Sequence, residues 1–182
     1  MRICVVSDTH RFRHELMQAV SLAGSINGVL HAGDETSDAA WLADRIHCPV
    51  HTVAGNWDTR STVYPDSLVV TGYGPPVFLT HGHRLQVKNT LSPLAKAAHS
   101  HGASIAVFGH THIALAEVVD GVLCINPGSL SQPRGRRERT FAILTITTEA
   151  DSFQVTVTHL TSAGEVLADT TRSVSIARSE RS

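Results

Sequence analysis

This sequence lacks an excess of charge of either sign, any cysteine pattern and any long apolar run. Lys and Arg number 15 against 16 Asp and Glu, a formal net charge of -1. A duplex-binding protein normally presents a basic face, so this balance argues against duplex nucleic acid as a partner. Cysteines number three, Cys4, Cys48 and Cys124, and they are far apart. Cys4 and Cys124 sit inside apolar runs, which fits packed, reduced thiols better than a disulfide framework. No Cys-x-x-Cys occurs, so a structural zinc site built on thiolates is not expected. The first apolar run is broken at Ser7-Asp8, so neither a signal peptide nor a spanning helix is expected. A cytoplasmic protein without a membrane partner is the default. A convincing Ser-His-Asp or Cys-His arrangement for nucleophilic catalysis is also missing.

What is there is histidine, 12 residues of it, several beside glycine. Five short apolar runs each end in a cluster of metal-ligand residues. Ile3–Val6 leads into Asp8-Thr9-His10, and Val29–Leu30 into His31-Ala32-Gly33-Asp34. Val50–Ala54 leads into Gly55-Asn56-Trp57-Asp58, and Val77–Leu79 into Thr80-His81-Gly82-His83. Ile105–Phe108 leads into Gly109-His110-Thr111-His112. In open α/β sheets, ligands bind just beyond the carboxyl ends of the strands. Five strands delivering Asp, His and Asn to such an edge describe one composite site. It reads as a binuclear metal centre and, from that, phosphoester hydrolysis. On an extended backbone, residues i and i+2 share a side, so Asp8 with His10, and His110 with His112, are expected to reach ions together. The Thr within each pair is expected to point away.

The organisation agrees with an α/β protein. At 182 residues the whole chain is expected to form a single domain, with 176–182 as a frayed tail. Phe12, Leu16, Ala19, Val20 and Ala23 recur at helical spacing, and Gly24 is a plausible stop. Ser37-Asp38 and Ser92-Pro93 read as starts of two further helices, with the serines as caps. Such alternation implies right-handed βαβ units. From Leu115 the pattern changes to hairpins, with Asp120-Gly121 between Ala116–Val119 and Val122–Ile125. Further strands are expected over Thr140–Thr147, Phe153–Leu160 and Glu165–Ile176. The first half thus predicts a parallel-centred sheet and the second an antiparallel one. Face to face, with helices outside, they would form a four-layer αββα sandwich.

The motif set as a whole resembles the calcineurin-like metallophosphoesterase superfamily, and in order and spacing its small single-domain bacterial and archaeal phosphodiesterases. Asn126-Pro127-Gly128-Ser129 followed by Pro133-Arg134 is similar as well, so the likeness runs from Met1 to about Ile146. The resemblance implies the αββα sandwich, two mixed sheets flanked by helices. It implies Asp8, His10 and His112 on one metal, Asn56, His81 and His110 on the other, and Asp34 bridging. The cofactors implied are two divalent ions, Mn²⁺ first, with Ni²⁺, Zn²⁺ or Fe as alternatives. The implied activity is a phosphodiesterase acting on a small phosphoester by attack of a metal-bridging hydroxide.

One position departs from the pattern. Many members carry a His after Gly-Asn that protonates the leaving group, whereas here the residue is Trp57, whose indole can only donate a hydrogen bond. His83 is the replacement candidate for that acid. Asn56 and Trp57 are the candidate substrate contacts, Trp57 by stacking on a flat group. Asp58 is expected to orient loop groups, and His31 to be a core-edge histidine. The basic run Arg134–Arg139 reads as a solvated loop ahead of a steering patch. Two other functions fit the fold: a non-catalytic interaction scaffold such as the retromer subunit, and a DNA nuclease, against which the short length and neutral charge count. Whether copies of the chain associate with one another is left open.

Overall fold

The structure is a computed structural model, and residues 1–58 and 63–178 are described here. Strand β1 (Arg2–Val6) feeds helix α1 (Arg13–Ala23), then β2 (Gly28–His31), α2 (Thr36–Ala43) and β3 (Val50–Thr52). Next come β4 (Ser67–Val70), β5 (Val77–Thr80), α3 (Ser92–Ser100) and β6 (Ile105–Val107). The chain finishes with β7 (Ala114–Val119), β8 (Val122–Pro127), β9 (Thr140–Thr148), β10 (Ser152–Thr161) and β11 (Val166–Ala177).

These strands form two mixed sheets, in the orders β11-β10-β9-β1-β2-β3 and β4-β5-β6-β8-β7. The two halves of the chain therefore do not each make a sheet, contrary to the expectation from periodicity. β1, β2 and β3 run parallel, but β1 also pairs antiparallel with β9 from the far end of the sequence. β5, β6 and β8 run parallel in the second sheet, with β4 and β7 antiparallel at its edges. Strand alternation cannot report which distant strand becomes a neighbour. That choice follows from which apolar faces must cover each other.

The central strands are apolar on both faces because both faces are covered. In β1, Ile3 and Val5 point into the layer between the sheets, where they meet Leu79, Ile105, Ile125 and Leu144. Cys4 and Val6 point outward beneath Leu16 and Ala19 of α1 and Leu42 of α2. On the outer face of the other sheet, Phe78, Ala106 and Cys124 lie under Leu94, Ala95 and Ala98 of α3. Helices, sheet, sheet and helix make the four-layer αββα sandwich.

Local signals account for several boundaries. Asp120 (φ 49°) and Gly121 (φ 79°) take the left-handed pair of conformations that a tight two-residue hairpin requires. Gly24 ends α1 in a left-handed turn, φ 70°. The serines do not cap. α2 begins at Thr36, whose N–H and hydroxyl both donate to Asp58 Oδ1, at 2.7 and 2.8 Å. A carboxylate from the β3 loop thus does the capping that Ser37 was expected to do. α3 begins at Ser92, whose hydroxyl donates to Asp120 instead of to its own helix. The last strand runs through Ile176 and Ala177, which pair with Phe153 and Ser152, so the expected tail does not begin at 176. The remainder of that tail, 179–182, lies outside the described residues. Strand β4 went unread in the sequence because Ser67–Val70 shows no alternation. Among the described residues, no helix is long and apolar enough to cross a membrane.

Candidate metal centre

The parallel strands of both sheets end at one edge of the sandwich. β1, β2 and β3 bring Asp8, His10, Asp34 and Asn56 from one sheet. β5 and β6 bring His81, His83, His110 and His112 from the other. Donor atoms of Asp8, His10, Asp34 and His112 all lie within 4.8 Å of one another. Beside them, His81 Nε2 lies 3.4 Å from Asp34 Oδ1 and 3.1 Å from Asn56 Oδ1. The His81 and His110 rings are edge to face at 5.1 Å. Asp34 stands between the two groups, with Oδ2 3.9 Å from His10 Nε2 and Oδ1 toward His81.

The backbone reaches this arrangement differently from the extended geometry expected. Asp8, His10, Asp34, His110 and His112 all have left-handed φ, between 42° and 65°. Each such residue costs on the order of 1 kcal/mol. Hydrogen bonds between the loops impose the conformations. Asp8 N–H donates to the Gly33 carbonyl, His110 N–H to Asp8 Oδ2, and Arg134 N–H to the His112 carbonyl. The Asp8 carbonyl accepts from both Ser129 and Ser131 hydroxyls, at 2.9 and 2.8 Å. Asn126 ties down the other loop through the Gly109 carbonyl and Thr111 Oγ1. The Asn-Pro-Gly-Ser motif therefore acts as a clamp on the ligand loops, a role not visible in the sequence.

Two glycines mark how closely the loops pass. A Cβ on Gly55 would strike Asp34 Oδ1, and one on Gly109 would strike Ser7 Oγ and Asp8 Oδ2. Thr9 does point away, donating to the buried Asp38 at 2.7 Å. Asp38 also accepts from Arg11 N–H and Arg13 Nε. The sequence places Thr9 away from the centre and Asp38 at a helix start but does not show their contact, because a carboxylate inside a helix looks solvated until its partners are known.

The donor chemistry fits a cation. His112 Nδ1 donates to the Gln132 carbonyl at 2.7 Å, and His81 Nδ1 donates to the Ala32 carbonyl at 2.8 Å. In each neutral ring Nε2 is then a lone pair. Those lone pairs face acceptors: Asp8 Oδ1 at 3.1 Å from His112, and Asp34 and Asn56 oxygens around His81. Asp8 Oδ1 is fully buried and, with His112 neutral, receives no hydrogen bond among the described residues. Acceptor against acceptor in a buried site is stable only with a positive charge between them. A proton can supply that charge. Burial works against protonation of both rings, but the Asp34 contact at His81 and the Asp8 contact at His112 outweigh it and raise both pKa values. Asp34 is lowered despite burial, chiefly by His81. His110 is held down at about 4 by burial, then by His81 and the Lys88 ammonium.

The remaining candidates sit around this centre. Trp57 is 73% exposed, with its ring edge-on to His10 at 5.3 Å and its backbone N–H donating to Asp34 Oδ1. The His83 ring lies tilted beside that of His81 at 5.4 Å, and its buried Nδ1 has no hydrogen-bond partner among the described residues. Asp58 holds Thr36 and the Gly55 N–H, so it orients loops as expected. His31 is buried in a polar network away from the centre, bonded to Thr9 and Thr52. In the basic run, Arg136 pairs with Asp169 and Arg139 with Glu15, so these two are structural.

Buried imidazoles and carboxylates converging on one strand-end edge of an αββα sandwich define a metal-binding hydrolase scaffold, and comparison with known proteins identifies it. Residues 1–149 match the calcineurin-like phosphoesterase superfamily domain, and the chain belongs to that family. It is 35% identical over 151 residues to "Probable metallophosphoesterase YsnB" of Bacillus subtilis (strain 168), covering 82% of this chain and 87% of that one. It is 27% identical over 144 residues to the phosphodiesterase MJ0936 of Methanocaldococcus jannaschii, covering 70% of this chain and 83% of that one. Among solved structures, a conserved protein of Streptococcus pneumoniae TIGR4, a predicted phosphoesterase, superposes with a TM-score of 0.74 at 28% identity, over 96% and 97% of the two chains. A single mutant of Vps29 from Entamoeba histolytica shares the fold, with a TM-score of 0.69 at 20% identity over 98% and 100%.

Proposed function

We propose that this chain is a metal-dependent phosphodiesterase that hydrolyses a small phosphoester. Asp8, His10 and His112 would hold one divalent ion, and Asn56, His81 and His110 a second, with Asp34 shared between them. The observation that carries this reading is Asp8 Oδ1, a buried carboxylate oxygen that faces Nε2 of His112 and, with that ring neutral, receives no hydrogen bond among the described residues. When bound, such ions lower the pKa of water and offset the charge of the phosphate oxygens. The protein's own part is orientation. Backbone carbonyls fix the tautomers of His81 and His112, and the serine clamp fixes Asp8. Asn56 and Trp57 stand at the open rim, where a substrate phosphate and its substituent would arrive.

His83 is poorly suited to protonate a leaving group. Burial and then the His81 charge hold its pKa below the ordinary value, so it is mainly neutral near pH 7. Mn²⁺ is the first ion to try, because imidazole and carboxylate ligands accept several metals and supply decides among them. A reducing, cytoplasmic setting suits Cys4 and Cys124, buried free thiols that burial pushes up to about 12.

The test is hydrolysis of bis-p-nitrophenyl phosphate with Mn²⁺, before and after chelation. Turnover that chelation abolishes and Mn²⁺ restores supports the assignment. Turnover that survives chelation, or none from protein carrying bound metal, would reject it. The latter result would favour a scaffold without catalysis, for which the fold shared with Vps29 leaves room. Degradation of plasmid DNA would instead favour a nuclease.

A further inference from the structure

Alongside the candidate centre runs a groove of about 500 Å³. Pockets of this size hold small organic groups. Thr111, between His110 and His112, lies on its wall, so the groove runs beside the loop that carries both histidines. Phe108, Leu91, Ile113 and Leu115 give it an apolar lining, and Ile113 keeps 46% of its surface exposed. Lys88 and Arg134 line it too, and neither takes part in an ion pair among the described residues. Arg134 is anchored at the metal end, since its N–H donates to the His112 carbonyl at 2.9 Å. The groove's carboxylate, Glu117, lies toward the other end. Along β7 the chain leaves the centre after Ala114, which pairs with Pro127, and reaches Glu117 three residues later. The charge is thus polarised, with cations beside the ligand loops and an acid remote from them.

We propose that this groove receives one ester substituent of the substrate and selects a phosphodiester whose substituent is aryl or comparably apolar. Lys88 and Arg134 flank the phosphate at the groove's inner end. The proposal rests on the phosphoesterase reading above, but binding tests it independently of turnover.

The experiment compares diphenyl phosphate with dimethyl phosphate by calorimetric titration into the Mn²⁺-loaded full chain. Both are monoanions, so the metals treat them alike and the difference reports the groove. Diphenyl phosphate is expected to bind at least about tenfold more tightly, from the apolar area it covers. Ile113→Ser and Leu115→Ser should each shrink that ratio severalfold. Ile113 is half exposed, so its substitution spares the fold, and circular dichroism checks both variants. Lys88→Gln should weaken both esters by a similar factor. Equal affinity for the two esters, or a preference that survives both groove substitutions, overturns the proposal. So does Lys88→Gln acting on one ester alone. Preference without any hydrolysis would leave the groove standing and remove the phosphodiesterase reading. Hydrolysis without preference would do the reverse.

Discussion

His112 Nε2 stands 3.1 Å from Asp8 Oδ1, while the same ring's Nδ1 is committed to the Gln132 carbonyl at 2.7 Å. When the ring is neutral, two lone pairs face each other in a buried place, and a proton or a metal cation between them relieves the conflict. Ligand binding to the folded state stabilises it by about 2.7 kcal/mol at a hundredfold excess over Kd. For a chain of this size that corresponds to a Tm rise of roughly 5–10 °C with Mn²⁺. In Asp8→Asn, an amide N–H can donate to the bare Nε2. The metal-free variant should unfold no lower than wild type, and its Mn²⁺ shift should shrink. Calorimetric scans with and without Mn²⁺ check both, and a full Mn²⁺ shift in Asp8→Asn would exclude Asp8 as a ligand.

Asp34 turns one oxygen toward His10 and the other toward His81, one toward each half of the proposed centre. Asp34→Asn keeps an acceptor for the Trp57 N–H but loses a charge and half the donor capacity. Turnover should fall by about a hundredfold or more, a barrier increase of about 2.7 kcal/mol. Tm of the metal-free protein should move by only a few degrees. Steady-state rates near those of wild type would contradict a shared role.

Trp57 is largely exposed at the rim, so replacing it costs little stability, within about 0.5 kcal/mol. Trp57→His places an ionisable ring where the indole could only donate a hydrogen bond. Activity should rise selectively on esters with poor leaving groups, flattening the dependence of log kcat on leaving-group pKa. An identical slope for both proteins would show that no proton donor was missing.

His31 gives a stability prediction with a definite sign. Thr9 donates to Asp38, so its oxygen accepts from His31 Nε2–H, while Nδ1 accepts from the Gly33 N–H and the Thr52 hydroxyl. A second proton at Nδ1 would face the Gly33 N–H, and burial lowers the folded-state pKa below 6.5. The contribution is therefore present above about pH 6.5 and is lost as pH falls below that value. His81 and His112, raised in the folded state, act in the opposite sense. The difference between wild type and His31→Gln isolates the effect. Urea unfolding at pH 7.5 and 5.5 should show a smaller pH dependence in the variant. Equal dependence in both proteins would mean that His31 does not titrate in that range.

Much of this protein was legible in its sequence for physical reasons. A strand covered on both faces must be apolar throughout, so Ile3–Val6 and Ile105–Phe108 stand out as runs. Polar residues that follow such runs without a break must lie at a sheet edge. Asp8, Asp34, His81 and His110 could accordingly be placed together from the order of residues alone. The Asp120-Gly121 hairpin was equally plain, because few residue pairs accept two left-handed conformations in succession.

Other features belong to tertiary structure alone. The pairing of β1 with β9, and hence the mixing of the sheets, depends on which faces cover each other across more than a hundred residues. The left-handed turns at Asp8, His10, His110 and His112 are held by hydrogen bonds to the Gly33 carbonyl and from Ser129, Ser131 and Arg134, contacts that no local propensity encodes. Asp58 capping α2, and Asp38 gathering Thr9, Arg11 and Arg13, are likewise contacts between segments distant in the chain. Sequence specifies which side chains reach the edge, since period and polarity are local properties. Where their donor atoms point is decided by packing, because orientation depends on partners that the chain meets only once folded.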